Sequence, residues 1–162
     1  MSAPITHLLD GETVTAVAGE VWSALVGEEE FLVPGHDGPV VLGPSAWVTV
    51  TGPWNGLVVL TCDEAGTADL TRSVLQMRAD EEVTAEDVDD VLRELANILG
   101  GNVKSLLPGP SALGLPETGV APLRAADVDT CRVAASWRGH DLAITIQGAT
   151  EAPVFTTTEV PQ

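Results

Sequence analysis

Glu94 and Asn97 are the two residues of this sequence whose types and spacing point most directly to chemistry. A carboxylate can pair with a cation on another molecule. A carboxamide oxygen can accept a hydrogen bond from water while its NH2 group donates elsewhere. Residues three apart on a helix are neighbours on its surface. Because asparagine does not titrate near neutral pH, its contribution would be to orient a reacting group rather than to abstract a proton.

A long amphipathic helix is predicted to carry these two residues. Thr84 followed by Asp87 resembles a capping box, and Pro108 ends the pattern, so the helix should run to about Leu107. At about 100° per residue, an apolar stripe forms on one side. That stripe contains Val88, Leu92, Leu95, Leu99, Val103 and Leu106, with Val91 and Ile98 beside it. The opposite face, named here the site face, contains Asp90, Glu94, Asn97, Gly101 and Lys104.

Gly101 is unexpected on this face, because glycine inside a helix costs roughly 1 kcal/mol relative to alanine. Bare backbone at this position would permit the close approach of another surface. Alternatively, the helix end frays or kinks near Gly100 and Gly101. Glu94 and Asn97 are also compatible with a solvated carboxylate and an ordinary surface amide. Asn102 falls toward the apolar edge, where its side chain must find a hydrogen bond, so it is predicted to be structural.

The remaining elements predict an α+β fold. Helical periodicity covers 14–25, with Thr13 as its N-cap, and 65–77; hairpin patterns cover 46–61 and 128–146; and 108–126 reads as loop. Since hairpins make antiparallel neighbours, the fold class is an antiparallel sheet built from two hairpins with helices packed on one face. No glycine-rich phosphate loop of the GxGxxG or GxxxxGK[ST] type is present.

The motif helix resembles that of the CheC/CheX/FliY phosphatases of bacterial chemotaxis. Their pattern is Glu, two residues, Asn, three residues and Gly, which Glu94, Asn97 and Gly101 match in register. The order of elements is also similar, including a proline-containing loop near Leu115 and Pro116. The resemblance covers about residues 13–147 of a single CheX-like domain, 1–162, with 148–162 as a tail. One motif helix rather than two favours the CheX type.

The resemblance implies a function, residue roles and partners. The protein would dock a phosphorylated response-regulator receiver domain and position water to hydrolyse its phospho-aspartate. Asn97 would orient that water, and Glu94 would pair with the receiver lysine. Because Asp90, Gly101 and Lys104 share the site face, they are expected to contact the partner. The receiver would hold the Mg2+, so no cofactor or metal is expected on this chain. Pairing of two copies through their sheets, at strand 57–61 or the final hairpin, would give a homodimer.

Two alternatives to a phosphatase stay open at this point. The same face could dock a receiver without catalysing anything, or the protein could be a dimeric scaffold that has no receiver partner. A phosphatase assay on a phosphorylated receiver separates catalysis from binding alone.

The charge of the chain restricts its partners. It contains 24 acidic and 7 basic residues, which gives a formal charge of −17 at pH 7. Such a field repels nucleic acid and anionic membranes. It would attract a basic protein surface, or it would simply keep the protein soluble.

The cysteines, the histidines and the start of the chain indicate a cytoplasmic protein without a resident metal. Cys62 and Cys131 lie in apolar strand contexts typical of small core residues. His7, His36 and His140 lack the spacing of metal ligands. No stretch approaches the roughly 18 apolar residues of a membrane span, and no secretory signal is recognised at the start of the sequence.

Overall fold

The computed structural model describes residues 4–35, 41–123 and 129–149. The predicted order of helix, hairpin, two helices and hairpin is confirmed. The elements are α1 Ile5–Leu8, α2 Gly11–Leu25, β1 Val33–Pro34, β2 Ser45–Thr51, β3 Gly56–Cys62, α3 Glu64–Leu75, α4 Ala85–Lys104, β4 Ala112–Leu113, β5 Glu117–Gly119, β6 Thr130–Trp137 and β7 His140–Gly148. His36 and the tail from residue 150 onward lie outside the described residues.

The sheet is antiparallel and is built around the two predicted hairpins. Its strand order is β1-β6-β7-β3-β2-β4, and β5 also pairs with β2. Alternate residues of β2, β3 and β7 enter the core, where they pack with the apolar sides of α2, α3 and α4. The motif helix α4 contacts β2, β3, α2 and α3. The predicted α+β architecture, with helices on one face, is therefore confirmed.

Three local predictions are corrected by the structure. Helix α2 begins at Gly11 and is capped by Asp10, whose carboxylate accepts from the Thr13 backbone N–H, so Thr13 is not the N-cap. Helix α4 ends at Lys104 rather than near Leu107. The region predicted as loop contains β4 and β5, which add to the edge of β2.

The position of β3 changes the prediction about pairing between copies. Strand β3 is hydrogen-bonded to β2 on one side and to β7 on the other. It therefore has no free edge with which to extend a sheet into a second copy. In the final hairpin, β6 lies nearer the sheet edge and pairs on its outer side with β1. Of the two predicted pairing sites, only the final hairpin lies near an edge at which the sheet could extend into a second copy.

The turn of the final hairpin is held by an ion pair and hydrogen bonds to Glu30. Arg138 and Gly139 have φ values of 52° and 80°, which are typical of a two-residue type I′ turn. Glu30 Oε1 accepts hydrogen bonds from Trp137 Nε1 at 2.8 Å and from Arg138 Nε at 3.0 Å. The Arg138 guanidinium lies 4.8 Å from the centroid of the Trp137 ring. Glu30, which follows α2, thus fastens the hairpin tip to the helical layer.

Replacing Glu30 by glutamine should lower the free energy of unfolding by about 1 kcal/mol near neutral pH. Hydrogen bonds from Arg138, and secondarily from Trp137, hold the pKa of the Glu30 carboxyl below its ordinary value of 4.5. A group with a lowered folded pKa stabilises the fold above its unfolded pKa and loses that contribution as pH falls through the folded pKa. The difference between wild type and Glu30→Gln should therefore shrink below about pH 4.5 in urea titrations. A difference that stays constant down to about pH 3 would contradict it.

Both cysteines are buried and free, as predicted for core residues. Burial, with a smaller contribution from Asp63, raises the pKa of the Cys62 thiol to about 12. Burial also raises the pKa of Cys131. Neither thiol is therefore a ready nucleophile. In the described part of the chain, no helix combines the length and apolarity needed to cross a membrane.

Candidate functional site

Helix α4 begins with the predicted capping box. Thr84 Oγ1 accepts from the Asp87 backbone N–H at 3.0 Å, and Asp87 Oδ2 accepts from the Thr84 backbone N–H at 3.3 Å. Glu86 and Asp87 in the first turn and Lys104 in the last turn complement the helix dipole. The helix continues through Gly100 and Gly101 to Lys104, so it does not fray at the glycines.

A buried stripe sets the rotation of α4 about its axis. The buried residues are Val91, Leu92, Leu95, Ala96, Leu99, Gly100 and Val103. Val88 and Ile98 are partly buried against the same core. Leu106, predicted for the stripe, lies beyond the helix end and is 45% exposed. Because the stripe is fixed against the sheet and the other helices, the site face must point away from the core.

The structure places the predicted site residues together on that outward face. Glu94, Asn97 and Asp90 are exposed, whereas Gly101 and Lys104 are partly buried. Glu94 and Asn97 lie three residues apart in a continuous helix, so their side chains are surface neighbours. Among the described residues, neither side chain makes a hydrogen bond or an ion pair. Both are therefore available to a second molecule.

Arg93 is a neighbour of this face that the sequence interpretation missed. Its Nη2 atom lies 2.9 Å from Asp90 Oδ1, and its Nη1 atom lies 3.5 Å from Thr118 Oγ1. The Asp90 carboxylate is therefore already paired, in contrast to Glu94. The spacing of three residues between Asp90 and Arg93 could have predicted their ion pair. The contact with Thr118 could not, because β5 was predicted to be loop.

Glycine occupies positions 100 and 101 of α4 for different structural reasons. A Cβ atom added to Gly100 would lie 2.3 Å from Val48 Cγ2, so Gly100 is required by the close packing of α4 on β2. A Cβ atom added to Gly101 would meet nothing within 4 Å. No packing within the described chain explains Gly101. This finding favours a role for bare backbone toward another molecule.

Paired substitutions to alanine should separate these two causes. Gly101→Ala should raise the free energy of unfolding by about 0.5–1 kcal/mol, because alanine is the better helix former and the space is open. Gly100→Ala should lower it by about 1–3 kcal/mol, because Val48 is fully buried and has little room to move. Urea unfolding of the two variants measures both effects. Equal changes of the same sign would contradict the assignment.

Asn102 has the structural role predicted for it. Its Nδ2 group donates to the Ile98 carbonyl at 2.9 Å, one turn earlier in α4. The amide is thereby satisfied locally and is partly buried. Asn97, by contrast, keeps its carboxamide unoccupied, which makes it the better candidate for orienting a bound water.

The arrangement of Glu94 and Asn97 can bind a cationic group and orient a water molecule. An unpaired carboxylate offers a contact for a cation, and an adjacent carboxamide can hold a water by both donor and acceptor groups. Among the residues that the structure describes, no group of three or more His, Cys, Asp or Glu residues is placed to hold a metal ion.

Comparison with known families shows the family to which the chain belongs. The family described as Chemotaxis phosphatase CheX matches residues 44–127, which is 84 of the 162 residues and extends from β2 through α4 to β5. The chain belongs to the CheX family. The resemblance noted from Glu94, Asn97 and Gly101 is thereby confirmed at the level of the family. No curated protein matches the chain significantly.

Solved CheX structures share the fold. CheX from Borrelia burgdorferi, solved in a CheX-CheY-BeF3-Mg2+ complex, has a TM-score of 0.72 and 19% identity, covering 88% of this chain and 99% of that one. CheX from Vibrio vulnificus has a TM-score of 0.68 and 19% identity, covering 84% of this chain and 93% of that one. CheX from Desulfovibrio desulfuricans has a TM-score of 0.68 and 16% identity, covering 84% of this chain and 96% of that one. At these identities the likeness shows the CheX fold over nearly the whole length of each structure.

Proposed function

We propose that this CheX-family protein docks a phosphorylated receiver domain on the site face of α4 and helps water remove the phosphoryl group. The observation that carries the proposal is that Glu94 and Asn97 lie exposed, adjacent and unpaired on that face. Membership of a chemotaxis phosphatase family supports the reaction class. The complex of Borrelia CheX with CheY supports a receiver as the class of partner.

Asn97 acts by orienting water. An acyl phosphate on a receiver aspartate is already reactive, and its hydrolysis needs a water held in line with the departing bond. The Asn97 carboxamide oxygen accepts a hydrogen bond from that water. Because the carboxamide does not titrate near neutral pH, its contribution is orientation rather than proton abstraction.

Glu94 acts as the anchor that sets Asn97 in register. Its carboxylate pairs with the conserved lysine of the receiver active site, and the receiver supplies Mg2+ to the phosphoryl group. The open space at Gly101 lets the partner approach the helix backbone. Lys104 makes a partner contact from the last turn. Asp90 contributes less to the interface than Glu94, because Arg93 already pairs with it.

The test is the rate at which phosphoryl is lost from receiver domains of the host, with and without this protein. Receivers phosphorylated by a small-molecule phosphodonor should lose phosphoryl faster when the protein is present in substoichiometric amounts. Binding without acceleration would instead support a non-catalytic docking module. If the protein neither binds any host receiver nor accelerates the loss of its phosphoryl group, the result would support a scaffold without a receiver partner.

Assembly and location remain part of the proposal. We propose a homodimer, with the final hairpin as the place where two copies meet, since β3 is interior to the sheet. A receiver partner also implies work in the cytoplasm. Sedimentation of the full-length protein measures the first of these directly.

A further inference from the structure

The edge strand beside α4 contains a bulge that pushes one leucine outward. Strand β2 pairs with Ala112 and Leu113 at one end and with residues 117–119 at the other. Between these ladders, two residues of β2, 48 and 49, oppose three residues of the edge, 114–116. Gly114 N–H donates to the Thr49 carbonyl at 2.8 Å, so Gly114 keeps the register of the first ladder. Leu115 is then the extra, unpaired residue of the bulge. Its side chain is 86% exposed.

Two contacts place this bulge at the level of Asn97. Arg93 reaches Thr118, at 3.5 Å. A Cβ atom on Gly100 would lie 3.6 Å from Leu113 Cδ2. Helix α4 and the edge strand therefore run in opposite directions. Asn97 lies between Arg93 and Gly100 on the helix. Leu115 lies between Leu113 and Thr118 on the edge strand.

We infer that Leu115 is an apolar anchor of the receiver-docking surface, continuous with the site face of α4. This inference rests on the proposed function and extends its interface from the helix to the sheet edge. The surface then has a polar part, Glu94 and Asn97, next to one large apolar side chain. It fits a receiver that presents its active-site lysine beside an apolar patch. A few residues that become buried at the centre of an interface carry most of its affinity, whereas charged and polar groups set specificity and register.

Protection of the sheet edge is the other physical account of the bulge. Bulges and prolines both block edge-to-edge pairing, and Pro116 follows Leu115. That account explains the bulge and the proline but does not call for an exposed leucine beside the site. It predicts that shortening Leu115 leaves binding unchanged, whereas the anchor predicts weaker binding. The two accounts are therefore separated by one substitution.

The experiment measures the Kd of full-length Leu115→Ala for each host receiver domain activated with BeF3− and Mg2+. We expect binding about tenfold weaker than wild type, with an unchanged maximal rate of phosphoryl loss. Phe31→Ala is the matched control, because Phe31 is 71% exposed and precedes β1 at the opposite edge of the sheet. Its Kd should stay within about twofold of wild type. Wild-type affinity for Leu115→Ala would overturn the inference.

Two readouts keep the inference separate from the proposed function. If wild type binds a receiver without accelerating phosphoryl loss, the phosphatase proposal fails, and the effect of Leu115→Ala on Kd still decides the anchor. If wild type accelerates the reaction and Leu115→Ala binds equally well, only the anchor fails. If no activated receiver binds the wild-type chain, both fail. Because Leu115 is exposed, its substitution should not change the thermal midpoint, which checks folding.

Discussion

Replacing Asn97 by alanine should lower the maximal rate of receiver dephosphorylation by ~10²–10⁴-fold, the range typical of positioned catalytic groups. The variant removes the carboxamide that holds the attacking water but leaves Glu94 in place. The Kd for a BeF3−-activated receiver should therefore stay within about twofold of wild type. Single-turnover loss of phosphoryl at saturating protein concentrations measures the rate apart from binding.

Ser23→Ala is the control for this substitution. Ser23 is an exposed polar residue of α2, outside the site face. Its removal should change neither rate nor affinity. If Asn97→Ala dephosphorylates as fast as wild type at saturation, water orientation by Asn97 is wrong. A loss of affinity as large as the loss of rate would instead make Asn97 a binding residue.

Reversing the charge of Glu94 should have the largest effect on docking. In Glu94→Lys, a cation would face the lysine of the receiver, and like-charge contacts at an interface cost several kcal/mol. We expect the Kd to rise about 100-fold or more. Glu94→Ala should have a smaller effect of the same sign. Titration of an activated receiver at two salt concentrations measures both changes, and the loss for Glu94→Lys should be smaller at high salt.

Glu20→Lys makes the same change in net charge at an exposed position of α2. It controls for the general effect of charge in a protein whose formal charge is −17. Its Kd should differ from wild type by no more than a few-fold, since it makes no contact with the partner. Equal weakening by Glu20→Lys and Glu94→Lys would show that long-range charge, rather than a contact at Glu94, governs binding.

The helix that carries the site could be predicted because its determinants are local. Thr84 and Asp87 form the cap through atoms within three residues of each other. The apolar stripe repeats with the period of an α-helix, so its rotation and the outward position of Glu94 and Asn97 follow from the sequence. The turn of the final hairpin, predicted at residues 138–141, consists in the structure of only Arg138 and Gly139, because His140 already pairs with Trp137. Local consistency of this kind extends to both hairpins.

The surroundings of the site could not be predicted because they depend on contacts distant in sequence. Strands of two and three residues, β4 and β5, exist only because β2 offers them an edge. Without β5, the contact of Arg93 with Thr118 has no basis, and neither has the bulge at Leu115. The requirement for Gly100 is visible only once Val48 lies beneath it.

Competition between near-equivalent signals explains the remaining local errors. Asp10 and Thr13 are both good N-cap residues, and the structure uses Asp10 even though Gly11 then becomes the first helical residue. The apolar pattern continued to Leu106, but the helix ends at Lys104. Periodicity alone does not distinguish a last helical turn from the turn that follows it.

The most direct test of the account is a crystal structure of this protein with a receiver domain activated by BeF3− and Mg2+. The account predicts that the receiver covers the site face of α4, with its active-site lysine within ion-pair distance of the Glu94 carboxylate. The Asn97 carboxamide should point at the beryllofluoride group along the line of attack by water. A receiver bound elsewhere, with Glu94 and Asn97 still open to solvent, would contradict the account.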